Sequence, residues 1–368
     1  MTHARLLNLQ ERAAAAGFDC VAVLPGPNMV YLTGLHFHLS ERPIVAFFPV
    51  GNTPAIVLPE FEAAKVEAAP YPITAFTYAE DDRSRLDAFQ QAVAHMELVD
   101  SLVGVEGRRM RFMEMRLLER FASNTRYESA EAVIASLRMT KIADEIRHMR
   151  RAAEIAERAL AATLPRVRLG MTEKEIAAAL VAELLRAGTD LPMPFEPIVG
   201  SGPNSALPHA NVSERNLRAG DLLVVDWGAA SAGYFSDITR TFAVREIDAE
   251  LRRIYQAVQA ANAAGRAAVA PGVEAQQVDR AARKVIDDAG YGEYFTHRTG
   301  HGLGLESHEE PYIREGDADR LEIGMTFTIE PGIYLPGRGG VRIEDNVAVA
   351  EDGATVLTSF SRDLQTIG

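Results

Sequence analysis

Acidic residues stand at the ends of two apolar segments in the C-terminal half of the chain. Asp226 follows the apolar run LLVV, and Glu330 follows TFTI. An apolar strand rarely ends in an inward-facing charge unless that charge has a partner. Carboxylates and imidazoles are ligands of divalent cations. The residues whose types and positions suit a metal centre are Asp226, Asp237, His301, Glu330 and Glu344.

The chemistry of this ligand set predicts two divalent cations. Four carboxylates brought to one apolar site would repel one another unless cations neutralised them, and a single divalent cation would neutralise half of their charge. An oxygen-rich set with one imidazole favours Mn²⁺ and also admits Co²⁺ or Zn²⁺. Two metals roughly 3.5 Å apart can acidify a shared water and polarise a carbonyl, which permits amide hydrolysis without a protein nucleophile.

Nearby residues have more ordinary interpretations. A single aspartate at a strand end is usually a turn or cap residue, and Asp345 is expected to be a solvated carboxylate of this kind. Trp227 is expected to pack in the core. The glycines at 300, 302 and 304 lack the strand, helix and lysine of a phosphate-binding loop, so they are expected to let the backbone approach the metals.

Four of the nine histidines lie close to these acidic motifs in the sequence. A single histidine in a loop is more often structural than catalytic, but several histidines beside one acidic site favour a functional role. No role is assigned to His3, His95 or His148. The four histidines near the motifs are His209, His297, His301 and His308.

The segment that carries these residues contains an internal repeat. A helix predicted at 143–164 leads to Gly170 and to a capping box at Thr172 and Glu175, and the next helix ends at Gly188. A helix predicted at 249–269 leads to Gly272, and a helix from residue 274 ends at Gly290. The two opening glycines, like the two closing ones, are 102 positions apart. A duplicated unit with one acidic strand in each half predicts a site at the pseudo-twofold axis.

The first part of the chain has a different pattern. Short apolar segments alternate with helical ones, which predicts strands at 20–24, 43–50, 55–58 and 102–105 and helices at 83–96 and 111–121. The fold class is therefore α+β, with a small N-terminal α/β domain at 1–130 and a duplicated ααββ domain at 131–368. A chain of 368 residues can bury a core in each.

Composition excludes several classes of partner. The formal charge of -13 disfavours binding to nucleic acid, and no segment has the length of apolar sequence that a membrane span needs. Cys20 is the single cysteine and lies in an apolar run, so a buried thiol is expected. The N-terminal residues resemble an amphipathic helix and not a signal peptide. We therefore expect a cytoplasmic protein.

Together the motifs resemble those of a known family. VDWGA with SDITRTF, GHGLGLESHEEP, TIEPGIY and GVRIED are similar to the motifs of the pita-bread metallopeptidases, specifically the proline-specific branch of aminopeptidase P and prolidase. The resemblance spans essentially the whole chain and is densest between residues 195 and 346. It implies a creatinase-like N-terminal domain, a pita-bread catalytic domain, and hydrolysis of the bond that precedes proline.

The resemblance also assigns residue roles. The five acidic and histidine ligands correspond to the family's metal ligands, and Glu330 corresponds to its general base. His209 and His308 resemble the catalytic histidines that contact the substrate near the scissile bond. His297 resembles the histidine that lines the proline pocket. Arg342 resembles an arginine that engages the end of the substrate or orients a metal carboxylate.

Alternatives within the fold remain open. The segment YLTGLHFHLSERP resembles a loop of bacterial prolidases that covers the partner's active site in a homodimer, which favours an Xaa-Pro dipeptidase with Arg42 at the substrate carboxylate. Aminopeptidase P, which acts on longer Xaa-Pro peptides, is the main alternative. More distant ones are an ectoine-type amide hydrolase and a non-catalytic binding protein. Creatinase lacks the metal ligands, so a creatinase-like reaction is disfavoured.

Overall fold

A computed structural model of the chain describes residues 2–122 and 124–368. The chain divides into two compact units, Met1–Arg138 and Met139–Gly368. This division falls shortly after the boundary that the sequence predicts at residue 130. The helix that follows residue 130 contributes Val133, Ile134 and Leu137 to the core of the first unit.

The first unit is an α/β structure built on one mixed sheet. In chain order its helices and strands are α1 (Thr2–Ala15), β1 (Cys20–Val23), α2 (Pro27–Thr33), β2 (Val45–Pro49), β3 (Ala55–Pro59), β4 (Thr74–Tyr78), α3 (Asp82–His95), β5 (Leu102–Val105), α4 (Phe112–Phe121), β6 (Arg126–Ser129) and α5 (Glu131–Arg138). Within the described residues the strand order is β4-β3-β2-β1-β5-β6. Helices α1, α2 and α5 pack on one face of the sheet, and α3 and α4 pack on the other.

The predicted strands and helices of this unit are confirmed to within two residues, and Cys20 is buried as expected. Sequence reasoning missed β4 and β6, which form the two edges of the sheet. Most side chains of both strands are partly or fully exposed. Their sequences, TAFTY and RYES, therefore lack the continuous apolar run by which the central strands were predicted.

In the described residues the second unit contains two helix pairs, two larger sheets and two two-stranded sheets. Its first half contains α6 (Ala143–Thr163), α7 (Glu173–Ala187), β7 (Ile198–Ser201), β8 (Leu222–Trp227), β9 (Ala230–Ser231), β10 (Tyr234–Phe235) and β11 (Ile238–Val244). Its second half contains α8 (Ala249–Ala267), α9 (Ala275–Asp288), β12 (Gly300–Gly302), β13 (Glu309–Ile313), β14 (Thr326–Ile329), β15 (Gly332–Leu335), β16 (Gly339–Arg342), β17 (Asp345–Ala350), β18 (Gly353–Val356) and β19 (Thr366–Ile367). The two-stranded sheets are β9–β10 and β15–β16.

Each half contributes a sheet covered by its own helix pair. In the described residues the first sheet has the order β19-β11-β8-β7 and the second has the order β13-β12-β14-β17-β18. Strand β8 packs Leu223, Val225 and Trp227 against α6 and α7, which confirms the core role expected of the tryptophan. Strand β14 packs Phe327 and Ile329 in the same way against α8 and α9. The alternate side chains of both strands point to the opposite face of their sheet, away from the helices.

The repeat predicted from glycine spacing is confirmed in the backbone. Gly170 and Gly272 have φ angles of 86° and 82°, and Gly188 and Gly290 have φ angles of 88° and 83°. These left-handed conformations strongly favour glycine. The two halves therefore place the same turn at the same point before and after their second helix.

Long-range pairing follows the same repeat. An isolated antiparallel bridge joins Thr172 to Asn216 in the first half, and another joins Glu274 to Arg320 in the second. Each bridge joins the residue before the second helix of its half to the segment that precedes a central strand, β8 in the first half and β14 in the second. The duplicated ααββ fold expected from the sequence is thus confirmed.

Within the described ranges, no helix combines the length and the apolar character needed to cross a lipid bilayer.

Candidate metal centre

A cavity of about 610 Å³ lies in the second unit. All nine site residues that the sequence predicts in this part of the chain line it. They are His209, Asp226, Asp237, His297, His301, His308, Glu330, Arg342 and Glu344. Arg298 and Arg314, which the sequence analysis did not single out, line it as well.

Two carboxylates reach the cavity from the first half. Asp226 is in β8, on the face opposite to Val225 and Trp227. Asp237 immediately precedes β11, and its backbone N–H donates to the Asn346 side chain at 3.0 Å. Because β8 and β11 pair in antiparallel register, with Asp226 opposite Thr239, both carboxylates come to the same end of the sheet.

The second half supplies two more carboxylates in an equivalent arrangement. Glu330 follows β14 directly, and Glu344 directly precedes β17. These strands are antiparallel neighbours with Ile329 opposite Asp345, so the two glutamates flank one strand pair. The Glu344 carboxylate accepts a hydrogen bond from Thr239 Oγ1 at 2.6 Å, which links it to the strand of the first half.

His301 is held with one ring nitrogen directed at the acidic residues. It is in the short strand β12 and is buried. Its Nδ1 lies 3.1 Å from the Gly302 carbonyl oxygen, so Nδ1 carries the proton and donates it. Its Nε2 lies 3.3 Å from Glu330 Oε1 and 3.7 Å from Asp237 Oδ2. The lone pair on Nε2 therefore faces two carboxylates, as a ligand nitrogen does.

The arrangement fits divalent metal ions. Ligand atoms lie within 4.8 Å of one another in each of three groups: Asp226, Asp237 and Glu344; His301, Glu330 and Glu344; and Asp237, His301 and His308. Within the described residues, the buried Asp226 Oδ1 has no hydrogen-bond partner. An unpartnered carboxylate oxygen in a buried acidic cluster is costly unless a cation neutralises it.

The pKa values of the buried carboxyl groups also indicate a cation site. Burial raises the pKa of Glu330 to about 7, opposed by Arg342 and reinforced by Asp226. Burial and the neighbouring Glu344 raise the pKa of Asp237 well above its ordinary value, and burial with Glu330 and Asp226 does the same for Glu344. Without a cation the cluster would therefore hold protons at neutral pH, and bound metal would displace them.

Arg342 orients the first of these carboxylates. Its Nη2 donates to Asp226 Oδ2 at 2.7 Å, its Nε donates to Thr239 Oγ1 at 3.0 Å, and its Nη1 donates to the Tyr334 hydroxyl at 2.9 Å. The sequence analysis left two roles open for this arginine, the substrate end or a metal carboxylate. All three guanidinium nitrogens are engaged by protein atoms, so the geometry favours the second role.

Tyr334 connects Arg342 to His297. His297 Nε2 lies 2.8 Å from the Tyr334 hydroxyl, and Nδ1 lies 2.7 Å from the Arg298 carbonyl oxygen. Burial, with Arg342 adding to it, lowers the pKa of His297 to about 4. The ring is therefore neutral, with its proton on Nδ1, and its Nε2 accepts from the tyrosine. A fixed neutral ring presents an apolar face to the cavity.

The remaining two histidines are more exposed. His209 lies in the loop after β7, and His308 lies just before β13. The rings of His301 and His308 are 4.0 Å apart between centroids. His308 thus lies near enough to reach an ion bound by Asp237 and His301, whereas the family resemblance assigns it to the substrate.

Asp345 corrects one expectation from the sequence. It is completely buried and not solvated. Its carboxylate pairs with Arg240 at 2.9 Å and with Arg362 at 2.6 Å, and these cations hold its pKa below the ordinary value despite burial. Arg240 also donates to the Glu344 carbonyl oxygen. The ion pair therefore stabilises the backbone next to the candidate ligand Glu344.

Two glycines of GHGLG lie where neighbouring strands leave no room for a side chain. A side chain at Gly300 would collide with the Thr328 carbonyl oxygen, and one at Gly302 would collide with the Glu310 carbonyl oxygen. Close approach of the neighbouring strands requires glycine at these two positions, and the expected role beside the metals stays a prediction.

Arg42 lies in the first unit, in the irregular segment between α2 and β2. Its Nε donates to Glu80 at 2.6 Å, and its Nη1 pairs with Glu41. Arg42 does not line the cavity formed by the described residues.

Comparison with known proteins identifies the family. Residues 147–351 match the model of metallopeptidase family M24, and residues 5–140 match the creatinase/prolidase N-terminal domain. The chain belongs to metallopeptidase family M24. It is therefore a metal-dependent peptidase, as the resemblance implied, and the M24 match covers every residue of the acidic cluster.

Three relatives of this M24 chain illustrate the likeness. An Xaa-Pro dipeptidase of Pyrococcus horikoshii is 35% identical over 350 residues, with 94% of each chain covered. The crystal structure of a prolidase from Thermococcus sibiricus superposes with a TM-score of 0.94 at 34% identity, covering 100% of this chain and 99% of that one. An X-Pro aminopeptidase from Thermotoga maritima superposes with a TM-score of 0.84 at 30% identity, covering 98% of each.

Sequence reasoning on the M24 chain missed two residues that bond the candidate ligands or Arg342. Thr239 bonds both Glu344 and Arg342, and Tyr334 joins Arg342 to His297. A signal for Tyr334 was present, because IYLPGRGGVR has the pattern of a hairpin, in which Tyr334 and Arg342 fall on adjacent strands. Thr239 is an ordinary strand residue by type and gave no such signal.

Metal should stabilise the protein more at high pH than at low pH. The raised carboxyl pKa values mean that the metal-free fold is favoured by protonation, and that this stability is lost as pH rises through about 7, the pKa of Glu330. Metal replaces those protons. We expect the increase in Tm on adding Mn²⁺ to chelated protein to be greater at pH 8 than at pH 5.5, by on the order of 5 °C.

Thermal unfolding followed at both pH values, with and without Mn²⁺, measures this difference. The Glu344→Gln variant is the comparison, because it removes one of the coupled carboxylates and should reduce the difference. If Mn²⁺ raised the Tm of the unsubstituted protein equally at the two pH values, the proposed exchange of protons for metal would be contradicted.

Proposed function

We propose that this metallopeptidase hydrolyses the peptide bond that precedes proline and that it favours Xaa-Pro dipeptides. The observation that carries the proposal is the cluster of four carboxylates and His301 in a cavity that also presents His209, His297 and His308. The similarity to an Xaa-Pro dipeptidase and to a prolidase supports this specificity.

The proposed metal ligands are Asp226, Asp237, His301, Glu330 and Glu344. Metal ions held there would polarise the scissile carbonyl and acidify the attacking water. Glu330, whose Oε1 lies 3.3 Å from His301 Nε2 within this cluster, is proposed as the base that takes the proton of that water. The same carboxyl can then return the proton to the proline nitrogen as the carbon–nitrogen bond breaks.

His209 and His308 are proposed to contact the substrate near the scissile bond. Both line the cavity, and burial lowers the pKa of His308, so that its ring is neutral at pH 7. A neutral imidazole can donate one hydrogen bond to a carbonyl oxygen. His297 is proposed to line the proline pocket, where its fixed ring packs at the edge of Phe295 with 5.2 Å between centroids.

Two cations support a substrate with a free carboxylate close to the scissile bond. Arg298 and Arg314 line the cavity, and their guanidinium groups lie 4.5 Å and 5.6 Å from the centre of the Tyr312 ring. Among the described residues, no carboxylate forms an ion pair with either arginine. A dipeptide ending in proline carries its carboxylate one residue beyond the scissile bond, where an arginine can bind it through two hydrogen bonds.

We further infer two metal ions, with Mn²⁺ favoured and Co²⁺ or Zn²⁺ also suitable, because the ligand set is rich in oxygen. A homodimer, with Arg42 acting at the site of its partner, stays a prediction from the sequence. We infer a cytoplasmic location from the single cysteine, whose buried thiol fits a reducing compartment.

Substrate length and terminal charge provide the test of this proposal. We expect kcat/KM for an Xaa-Pro dipeptide to exceed that for its amide, Xaa-Pro-NH₂, and for the tripeptide Xaa-Pro-Yaa by about tenfold or more, because one well-placed charged hydrogen bond contributes about that factor. The amide matches the dipeptide in length but lacks its charge. Steady-state rates with Mn²⁺ present give all three values.

Two variants test which arginine binds the substrate carboxylate. Arg314→Ala should narrow the gap between dipeptide and amide, mainly through KM, if this cation binds the carboxylate. Arg42→Ala should do the same if the loop of the first unit closes over a partner's site, with the dimer checked by light scattering. Faster cleavage of the tripeptide by the unsubstituted protein would instead favour aminopeptidase P.

A further inference from the structure

The loop that carries His209 is held at both of its ends by one buried carboxylate. The loop comprises residues 201–213, and we call it the His209 loop. It begins at the last residue of β7 and contains a short 3-10 turn, Gly202–Ala206. Its two ends meet at Glu173, the first residue of α7, which is only 1% exposed.

Glu173 accepts hydrogen bonds from both ends of the loop. At one end the backbone N–H and the hydroxyl of Ser201 donate to Oε1 at 2.7 and 2.8 Å. At the other end the backbone N–H and the hydroxyl of Ser213 donate to Oε2 at 3.2 and 2.6 Å. Asn204 Nδ2 donates to both oxygens, at 3.1 and 3.0 Å. One carboxylate thus closes the whole loop.

The position of Glu173 suits a charged acceptor. It lies in the first turn of α7, where the helix dipole favours negative charge, and Thr172 caps the helix. Arg215 Nη1 donates to the Ser201 hydroxyl at 2.7 Å, so this hydroxyl accepts from a cation while it donates to Glu173. Arg215 is itself paired with Asp221 at 2.6 Å. The network is satisfied only while Glu173 is an acceptor.

The His209 side chain depends on the loop for its position. Within the described residues, no hydrogen bond holds the His209 imidazole itself. Between the ends of the loop, the Ser205 hydroxyl accepts from Gly340 N–H at 2.8 Å, and the Pro208 carbonyl accepts from Arg342 Nη1 at 3.2 Å. At the second end, the Ser213 carbonyl also accepts from the backbone N–H of Lys174 at 3.2 Å. The Ser205 and Pro208 contacts hold the middle of the loop, whereas the Glu173 side chain is the group that bonds both of its ends.

From this geometry we propose that Glu173 is a positioning residue for His209. By closing the His209 loop it sets the place of the imidazole against the substrate in the metal cavity. This inference rests on the proposed function, because it takes His209 to contact the substrate. Glu173 touches neither substrate nor the metal ligands, so its removal should change turnover without changing metal content.

The test is a double-mutant cycle between Glu173→Gln and His209→Ala. The side chain of glutamine places an NH₂ group, a hydrogen-bond donor, where Ser201, Asn204 and Ser213 also donate. These bonds should therefore break, and the loop should open. We expect Glu173→Gln to lower kcat/KM for an Xaa-Pro dipeptide by about 10- to 100-fold, as misplacement of a substrate-contacting group does. In the His209→Ala background the same change should cost less than about threefold, because the lost contact is already absent.

Two further measurements separate positioning from general damage. Amide hydrogen exchange in residues 202–212 should be faster in Glu173→Gln, while metal content by elemental analysis stays at the level of the unsubstituted protein. Glu183→Gln is the matched control on the same helix, because Glu183 pairs with Arg166 and Arg186 and does not touch the loop. It should leave kcat/KM and exchange in the loop unchanged.

The results of these experiments distinguish a failure of the positioning role from a failure of the proposed function. Equal losses from Glu173→Gln in both backgrounds, or unchanged exchange in the loop, would overturn the positioning role while leaving the proposed function intact. A fully active His209→Ala would overturn the role of His209 in the proposed function and this inference with it. If Glu173→Gln fails to fold, Ser213→Ala replaces it in the same cycle, since it removes one donor from Glu173 and should show the same coupling with a smaller loss.

Discussion

Replacing Glu330 with glutamine is expected to lower kcat by about three orders of magnitude or more. Glutamine keeps the size of the side chain but cannot take up a proton, and loss of a general base alone costs about 10²- to 10⁴-fold. It also replaces a carboxylate in the His301 group of candidate ligands, so metal binding should weaken as well. Steady-state kinetics with an Xaa-Pro dipeptide at saturating Mn²⁺ measure the loss.

The control for this variant is Glu315→Gln. Glu315 is a glutamate of the same unit that lies outside the cavity and pairs with Arg280. It should retain the activity of the unsubstituted protein. Turnover of Glu330→Gln within about tenfold of that level, with metal content intact, would remove Glu330 from the role of base.

Exhaustive chelation is expected to abolish hydrolysis, and Mn²⁺ or Co²⁺ is expected to restore it. The residues that line the cavity include no cysteine, and their one serine is Ser307. A peptide bond would therefore have no activated nucleophile without metal. The measurement is activity against added metal after dialysis with a chelator, with residual metal determined by elemental analysis.

Ser307→Ala is the matched variant for this second prediction. If metal chemistry alone drives the reaction, this variant should keep its activity and the same dependence on added metal. Hydrolysis that persists in metal-free protein and disappears in Ser307→Ala would instead point to a serine nucleophile.

The acidic centre could be predicted from sequence because its signal is local. Asp226 and Glu330 each come after an apolar run and two residues before a glycine, and each lies six residues after the glycine, Gly220 or Gly324, that precedes its run. The 102-residue spacing of the paired glycines then predicted that the halves would face one another. Both features depend on residue type and position along the chain, which are the two properties that a sequence shows directly.

The parts that sequence reasoning missed depend on partners that are distant in the chain. Asp345 looks like a solvated acid beside Glu344, yet Arg240 and Arg362 neutralise it inside the fold. Glu173 looks like an ordinary acid in the first turn of a helix, and only the folded structure brings both ends of the His209 loop to it. Edge strands β4 and β6 were missed because exposed strands need no apolar run.

Both halves of the second unit supply carboxylates to the candidate metal centre, and this division affects how the unit unfolds. Asp226 and Asp237 belong to the first half, whereas Glu330 and Glu344 belong to the second. An ion held by both halves acts as a cross-link between segments that are about a hundred residues apart in the chain. Opening either half breaks that link and gives up the ion. Loss of metal and cooperative unfolding of the second unit should therefore be one event, and neither half should keep a metal centre by itself.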